Sequence, residues 1–269
     1  MNSIRRRAAV ATCLALLGPA AAVAAAKTII SMSGSTSIYP LATALATKYV
    51  QTNHHVGFKI FQGGSDIGIN DVAHGRVTIG NSSRDPLPSD PHGLTFTRIA
   101  RDGICVITNT SNPVPNLSQS EVQQIFAGHV TNWANVPGAR AHGAIDLLTR
   151  TAASGTADAF KQIFMGQSLN ISGSAVAKQS NGLVAQQVRS DPNAIGFVSF
   201  DFIGGTHAIP YKGVPCTLRN AKSGQYGGVR NFWMVTRGKP SGAAKAFLKW
   251  VTHSSQARTI INQHWIAIH

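Results

Sequence analysis

Arg150-Thr-Ala-Ala-Ser154-Gly155-Thr156 sets a fixed cation just ahead of a turn that can open a helix, because Ala157, Phe160, Ile163 and Phe164 follow at helical spacing. With Ser154 as the cap, the free N–H groups of Gly155 and Thr156 and the two neighbouring hydroxyls point at one small volume, with the positive helix end behind them. Such a place attracts an oxyanion. Arg150 adds a planar fork of donors suited to phosphate or carboxylate. The same residues also serve an ordinary capped helix with a surface arginine, so the rest of the chain must decide.

Three earlier segments repeat the theme. Thr28 to Met32 reads as a strand, Ser33-Gly34-Ser35-Thr36-Ser37 as a turn of small residues, and Ile38, Leu41, Leu45 and Tyr49 as one face of a helix. Gly57 to Phe61 is a second strand, followed by the turn Gln62-Gly63-Gly64-Ser65 and a helix from Asp66 to His74. Asp66 would repel an anion in that turn and is expected to face away from it. A third strand, Val77 to Gly80, runs into Asn81-Ser82-Ser83-Arg84. Ligands of open α/β sheets lie beyond the carboxyl ends of the strands, so these ends are candidates to converge with the strand Ile145 to Leu148 that delivers Arg150. The glycine spacing is not that of a dinucleotide site, and the P-loop lysine is missing.

The remaining elements complete an α/β pattern. A strand spans Asp102 to Asn109, and Ser118 and Glu121 form a capping box before Val122, Ile125 and Phe126. Gly182 to Val188 is helical, Ala194 to Val198 is a buried strand, Cys216 and Tyr226 lie in an irregular stretch, and Phe232 to Thr236 is a strand returning to the first half. Two helices close the chain, Ala243 to Val251 and Ser255 to Ile261.

Composition narrows the function classes. Arg5-Arg6-Arg7, the apolar run Ala8 to Val23 and Ala24-Ala25-Ala26 read as a secretory signal peptide, residues 1–26, so the protein is exported. Its removal takes three arginines and no acidic residue, which lowers the formal charge from +14 to +11. That charge favours anionic partners, but the basic residues are scattered rather than run together, which argues against nucleic acid and suits a small anion. Cys105 and Cys216 remain after processing. An oxidising compartment allows one disulfide between them, and the apolar run Ile104 to Ile107 equally suits Cys105 as a plain buried residue. The histidines have no ligand spacing, so neither a metal nor a cofactor is implied.

Taken together, Gly34 to Leu41, Gly63-Gly64-Ser65, Ile79 to Arg84, Asp102-Gly103-Ile104, Ile125 to Gly128 with Thr131-Asn132-Trp133, Arg150 to Thr156, and Ala194 to Phe197 resemble, in order and spacing, the phosphate-binding proteins of ABC importers. The resemblance implies the two-lobed α/β fold of type II periplasmic binding proteins, with the ligand cleft between lobes. Residues 27–107 would form the first part of lobe 1, 108–231 lobe 2, and 232–269 the segment returning to lobe 1. It implies a monomeric periplasmic or extracellular receptor that binds inorganic phosphate and delivers it to a membrane ABC permease, and no enzyme. Carried over by motif, the ligand-binding residues are Ser35, Thr36, Ser37, Ser65, Ser83, Arg84, Arg150, Ser154, Gly155 and Thr156. Some members place an Asp at the end of the third strand to accept the phosphate proton; here Ser83-Arg84-Asp85 stands there, leaving Asp85 or Asp102 for that role, or Asp102 as a hinge carboxylate paired with a base. The alternatives are an exported phosphatase, for which a nucleophile elbow and a nearby histidine are missing, and a secreted protein adhering to anionic polymers.

Overall fold

The repeated strand–turn–helix units form one side of the molecule in the computed structural model, which describes residues 26–166 and 168–268. The segment read as a signal peptide lies outside the described residues except for Ala26. Strand β1 (Thr28–Gly34), helix α1 (Tyr39–Val50), strand β2 (Val56–Ile60), helix α2 (Ser65–Ala73) and strand β3 (Ile79–Ser82) follow in chain order, with β1 parallel to both β2 and β3. Ile30 and Met32 of β1 are buried, as in a parallel strand covered by helices. The third strand runs two residues later than its apolar residues indicated, so Asn81 and Ser82 lie within it and Ser83 leaves its end.

Strand β4 (Leu94–Thr108) is the longest, and its two halves serve different partners. After it come α3 (Gln119–Phe126), β5 (Asp146–Arg150), α4 (Gly155–Phe160), β6 (Val176–Lys178), α5 (Asn181–Ser190), β7 (Ala194–Ser199), β8 (His207–Ala208), α6 (Leu218–Lys222), β9 (Val229–Arg237), α7 (Gly242–His253) and α8 (Ser255–His264). The main strand order is β2-β1-β3-β9-β4-β7-β5-β6. Residues 94–103 of β4 pair antiparallel with β9, and residues 104–108 pair antiparallel with β7. β5 lies parallel to β7 and β6, which delivers Arg150 to a carboxyl end.

Two large hydrophobic cores match this division. Ile30, Met32, Leu41, Leu45, Ile99, Phe232, Met234 and Phe247 share one. Ile104 to Ile107, Phe126, Trp133, Phe160, Phe164 and Phe197 share the other, where the rings of Phe160 and Phe197 stack with centroids 4.0 Å apart. The change of core therefore falls near Asp102 and Gly103, a few residues before the strand ends. Cys105 and Cys216 form a disulfide inside the second core, with Cα atoms 5.8 Å apart, which resolves the choice left open by the sequence. The capping box at α3 is present, with Glu121 N–H donating to Ser118 Oγ and Ser118 N–H to Glu121 Oε2.

Candidate functional site

The carboxyl ends of β1, β3 and β5 and the starts of α2, α4 and α5 meet between the two cores. Ser35, Thr36, Ser37, Ser65, Ser83, Arg150, Ser154 and Thr156 are each no more than 5% exposed there. Ser37 Oγ lies 3.0 Å from Thr156 Oγ1, Ser35 Oγ–H donates to Ser83 Oγ at 2.8 Å, and Ser83 N–H donates to Ser65 Oγ at 2.9 Å. Ser154 caps α4 by accepting from Ala157 N–H, as its place before Gly155 indicated. Gly155 packs so closely that an added Cβ would lie 2.8 Å from Ser65 Cβ and 3.0 Å from the Arg84 backbone nitrogen.

Arg150 enters this group from β5. Its Nη2 donates to Thr36 Oγ1 at 3.1 Å and to the Gln179 carbonyl at 2.9 Å, and Nε donates to the Lys178 carbonyl. Nη1 is buried without a hydrogen-bond partner. Burial, and then the charge of Arg230, push the Arg150 pKa down to about 9. An unpaired donor on a buried cation is costly in an apolar surrounding, so the site is suited to an acceptor that carries negative charge.

Two residues not selected from the sequence complete the cluster. Arg230 donates from Nη1 to Thr156 Oγ1 at 2.9 Å and from Nη2 to Ser37 Oγ at 2.8 Å. Asn181 donates from Nδ2 to Thr36 Oγ1 and Ser37 Oγ at 3.0 and 2.8 Å. The available signals were an arginine at the start of a strand and Ser180-Asn181 at a helix start; neither stands out, because their partners are distant in the chain.

Three charged candidates are used elsewhere. The Arg84 guanidinium turns from the hydroxyls to Asp66 at 2.8 Å and Asp90 at 2.6 Å, with Asp158 at 3.6 Å. Burial lowers its pKa, but the bonds to Asp90 and Asp66 outweigh this and hold it above the ordinary value. Only the backbone of Arg84 borders the cluster, beside Gly155. Asp66 faces away as expected, and this pairing is the reason. Asp85 Oδ1 accepts from Asn231 and Trp233 at 2.9 Å each, on an exposed face. Asp102 is fully buried; its Oδ2 accepts from Arg230 Nη2, Arg230 Nε and Ser199 Oγ. Burial raises the Asp102 pKa and Arg230 opposes that rise, while Asp102 Oδ1 is buried without a hydrogen-bond partner.

The arrangement gathers hydroxyls and two guanidiniums, of which Arg230 alone is bonded to a carboxylate, that of Asp102. A pocket of about 460 Å³ lies beside it, lined by Thr36, Gln62, Gly63, Thr151, Ala153 and Gln179 among others, and reaches the cluster only at Thr36. Asp66 N–H donates to the Ala153 carbonyl across the same seam. An anion reaching Arg150 Nη1 therefore requires the two sides to part and close again.

Comparison with known proteins agrees with this architecture. A family model described as the PBP superfamily domain matches residues 19–255. The phosphate-binding protein PstS of Bacillus subtilis is 27% identical over 237 residues, 86% of this chain and 78% of that protein. A Clostridium perfringens protein solved with bound phosphate, and assigned as a phosphate ABC transporter substrate-binding protein, superposes with a TM-score of 0.85 at 30% identity, covering 90% of this chain and 100% of its own. An ABC-type phosphate transport receptor from Vibrio cholerae gives a TM-score of 0.73 at 27% identity, over 89% of this chain and 100% of its own.

Proposed function

The chain belongs to the PBP superfamily, within the phosphate ABC transporter binding proteins, and on that premise we propose that it is an exported receptor that binds inorganic phosphate between its two lobes and hands it to an ABC permease. The observation that carries this reading is Arg150: a buried guanidinium with one nitrogen unpaired, bonded to the Thr36 hydroxyl of the facing side and placed near a second arginine that already has its carboxylate.

Asp102 compensates Arg230, which leaves the charge of Arg150 without a carboxylate in the cluster. A dianion supplies both the missing charge and the missing acceptors. Ser35, Thr36, Ser37, Ser65 and Ser83 serve the ligand from one lobe, and Arg150, Ser154, Gly155 and Thr156 from the other. Ligand contacts to both sides favour the closed form, and the permease distinguishes closed from open. Arg84 braces the closed form through Asp66, Asp90 and Asp158 rather than touching the ligand.

The same chemistry supports a receptor over an enzyme. Thr36, Ser37 and Thr156 accept hydrogen bonds from arginine and asparagine donors, whereas a nucleophilic hydroxyl needs a base beside it. We read the protein as a monomer that works outside the membrane after removal of residues 1–26; no helix among the described residues is long and apolar enough to cross a membrane.

The test is calorimetric titration of the unfolded, phosphate-stripped and refolded protein with inorganic phosphate. Saturable 1:1 binding that Arg150→Ala abolishes is the expected result. Absence of phosphate binding to the wild type overturns the reading.

A further inference from the structure

The hydrogen bonds around the cluster fix which hydroxyls are free to accept. Asn181 Oδ1 accepts from Ser199 N–H at 3.1 Å, so its amide nitrogen must be the end facing Thr36 and Ser37. A hydroxyl oxygen has two lone pairs and one proton. Both lone pairs of Thr36 Oγ1 are taken, by Arg150 Nη2 and Asn181 Nδ2. Both lone pairs of Ser37 Oγ are taken, by Asn181 Nδ2 and Arg230 Nη2. Ser37 must therefore be the donor in its 3.0 Å contact with Thr156. Thr156 Oγ1 then holds Ser37 and Arg230 Nη1 on its own two lone pairs, and its proton is directed outward.

The opposite side differs. Ser35 Oγ accepts from Ser37 N–H, and Ser65 Oγ accepts from Ser83 N–H, one fixed donor each. Ser83 Oγ receives Ser35 Oγ–H and lies 3.3 Å from Ser65 Oγ, so its partners are rotatable hydroxyls. Each of these three can turn to accept. Among the acidic side chains nearby, Asp66 and Asp90 are held by Arg84 and Asp85 by Asn231 and Trp233; Asp102 gives Oδ2 to Arg230 and Ser199, and its Oδ1, buried without a partner, is the rival acceptor that the sulfate titration below distinguishes from a hydroxyl.

We propose that the site is divided into a donor-only half, Thr36 and Thr156, polarised by Asn181 and Arg230 with the Ser37 hydroxyl saturated between them, and a reversible half, Ser35, Ser65 and Ser83, and that a hydroxyl of the reversible half, with Ser83 at its centre, receives the protonated oxygen of the ligand. This rests on the phosphate reading above. A hydroxyl that accepts from a P–OH group also donates to a bare oxygen by rotating about one bond. Sulfate, which has the same shape and no proton at neutral pH, is then accommodated as well, whereas a carboxylate in that position would repel it. Asn181 and Arg230 are positioning residues in this scheme, acting through the hydroxyls they hold.

The test titrates the stripped protein with inorganic phosphate and with sulfate at pH 8, for the wild type, Ser83→Ala and Ser83→Asp. The wild type is expected to bind sulfate within about tenfold of phosphate, the value of one ordinary hydrogen bond. Ser83→Asp should keep phosphate and weaken sulfate by about a hundredfold or more, as charge repulsion replaces an adaptable donor. Ser83→Ala should weaken both anions by a similar factor, about tenfold, since phosphate loses a proton acceptor and sulfate loses the donor that the same hydroxyl becomes on rotating. Tight phosphate binding by the wild type with sulfate ignored overturns this inference and leaves the receptor standing, as does a Ser83→Ala protein that binds both anions as tightly as the wild type. Failure of the wild type to bind either anion overturns both.

Discussion

Arg150 Nη2 donates to Thr36 Oγ1 at 3.1 Å, tying the end of β5 to the turn after β1 while Nη1 of the same guanidinium has no partner. The residue thus bridges the two sides and keeps one donor in reserve. Replacing it with Met removes a buried, under-satisfied cation and retains an apolar stem. Phosphate affinity should fall about a hundredfold or more, the usual cost of deleting one member of a buried charge-assisted contact. The ligand-free melting temperature should hold or rise, because a well-packed apolar side chain often improves on a buried ion. Calorimetry and thermal melts of the stripped protein check both; an affinity within threefold of wild type sinks the idea.

Gly155 is needed for close approach rather than for an unusual backbone. A Cβ there would lie 2.8 Å from Ser65 Cβ and 3.0 Å from the Arg84 nitrogen, both on the facing side of the cleft. Gly155→Ala should therefore act as a wedge. Each side still folds, yet closure is strained and phosphate affinity falls about ten- to a hundredfold, matching the 1–3 kcal/mol typical of overpacking. Small-angle scattering with saturating phosphate should show a larger radius of gyration than for the wild type. An unchanged radius together with unchanged affinity would rule out the wedge.

The hydroxyl turns were legible because their signal is local: a short apolar strand, then Gly and Ser, then helical spacing, as at Ser35 to Ser37 and Ser154 to Thr156. Arg150 was legible for the same reason. Asn181 and Arg230 were not, since each reaches hydroxyls more than 140 residues away along the chain, apart from the nearer Thr156. Arg84 shows the opposite failure. It stands in the right motif, but Asp66 and Asp90 take its guanidinium, and only the fold brings those carboxylates to it. The disulfide stayed undecided for a like reason, since Cys105 in an apolar strand reads the same whether bridged or free. Element types survived these ambiguities; the third strand shifted because Asn81 and Ser82 carry no strand signal yet pair with β9 through Met234 and Trp233.

Asp158 gives the closed form a pH dependence. It sits on α4, with Asp66 on α2 and Arg84 and Asp90 after β3 facing it, and Lys161 nearby on its own side. Burial first, and then the charge of Asp66, raise its pKa to about 6, while Arg84 and Lys161 oppose the rise. A carboxyl whose folded pKa is raised above its unfolded value adds stability that is fully present below the unfolded pKa and lost as pH rises through about 6. Asp158→Asn, which stays neutral throughout, should therefore match the wild-type melting temperature only below the unfolded pKa of about 3.8 and exceed it at pH 7.5. Parallel melting curves across that range would show that Asp158 is ionised at no cost.

The Cys105–Cys216 bridge links the second half of β4, just past the change of core, to the segment before α6, with a sequence separation of 111 residues. Both sulfurs lie in the second core and neither touches the hydroxyl cluster. Cross-linking a loop of this length restricts the unfolded chain strongly, so its loss should cost about 2–5 kcal/mol. Because the cost falls mainly on the unfolded state, the folded site should hardly notice. The double variant Cys105→Ala/Cys216→Ala is expected to melt several degrees lower while binding phosphate within about threefold of wild type at 25 °C, a change below 1 kcal/mol. A large loss of affinity would instead mean that the bridge holds β4 in the register that brings Asp102 under Arg230, and would make the disulfide part of the binding apparatus rather than a staple of the second core.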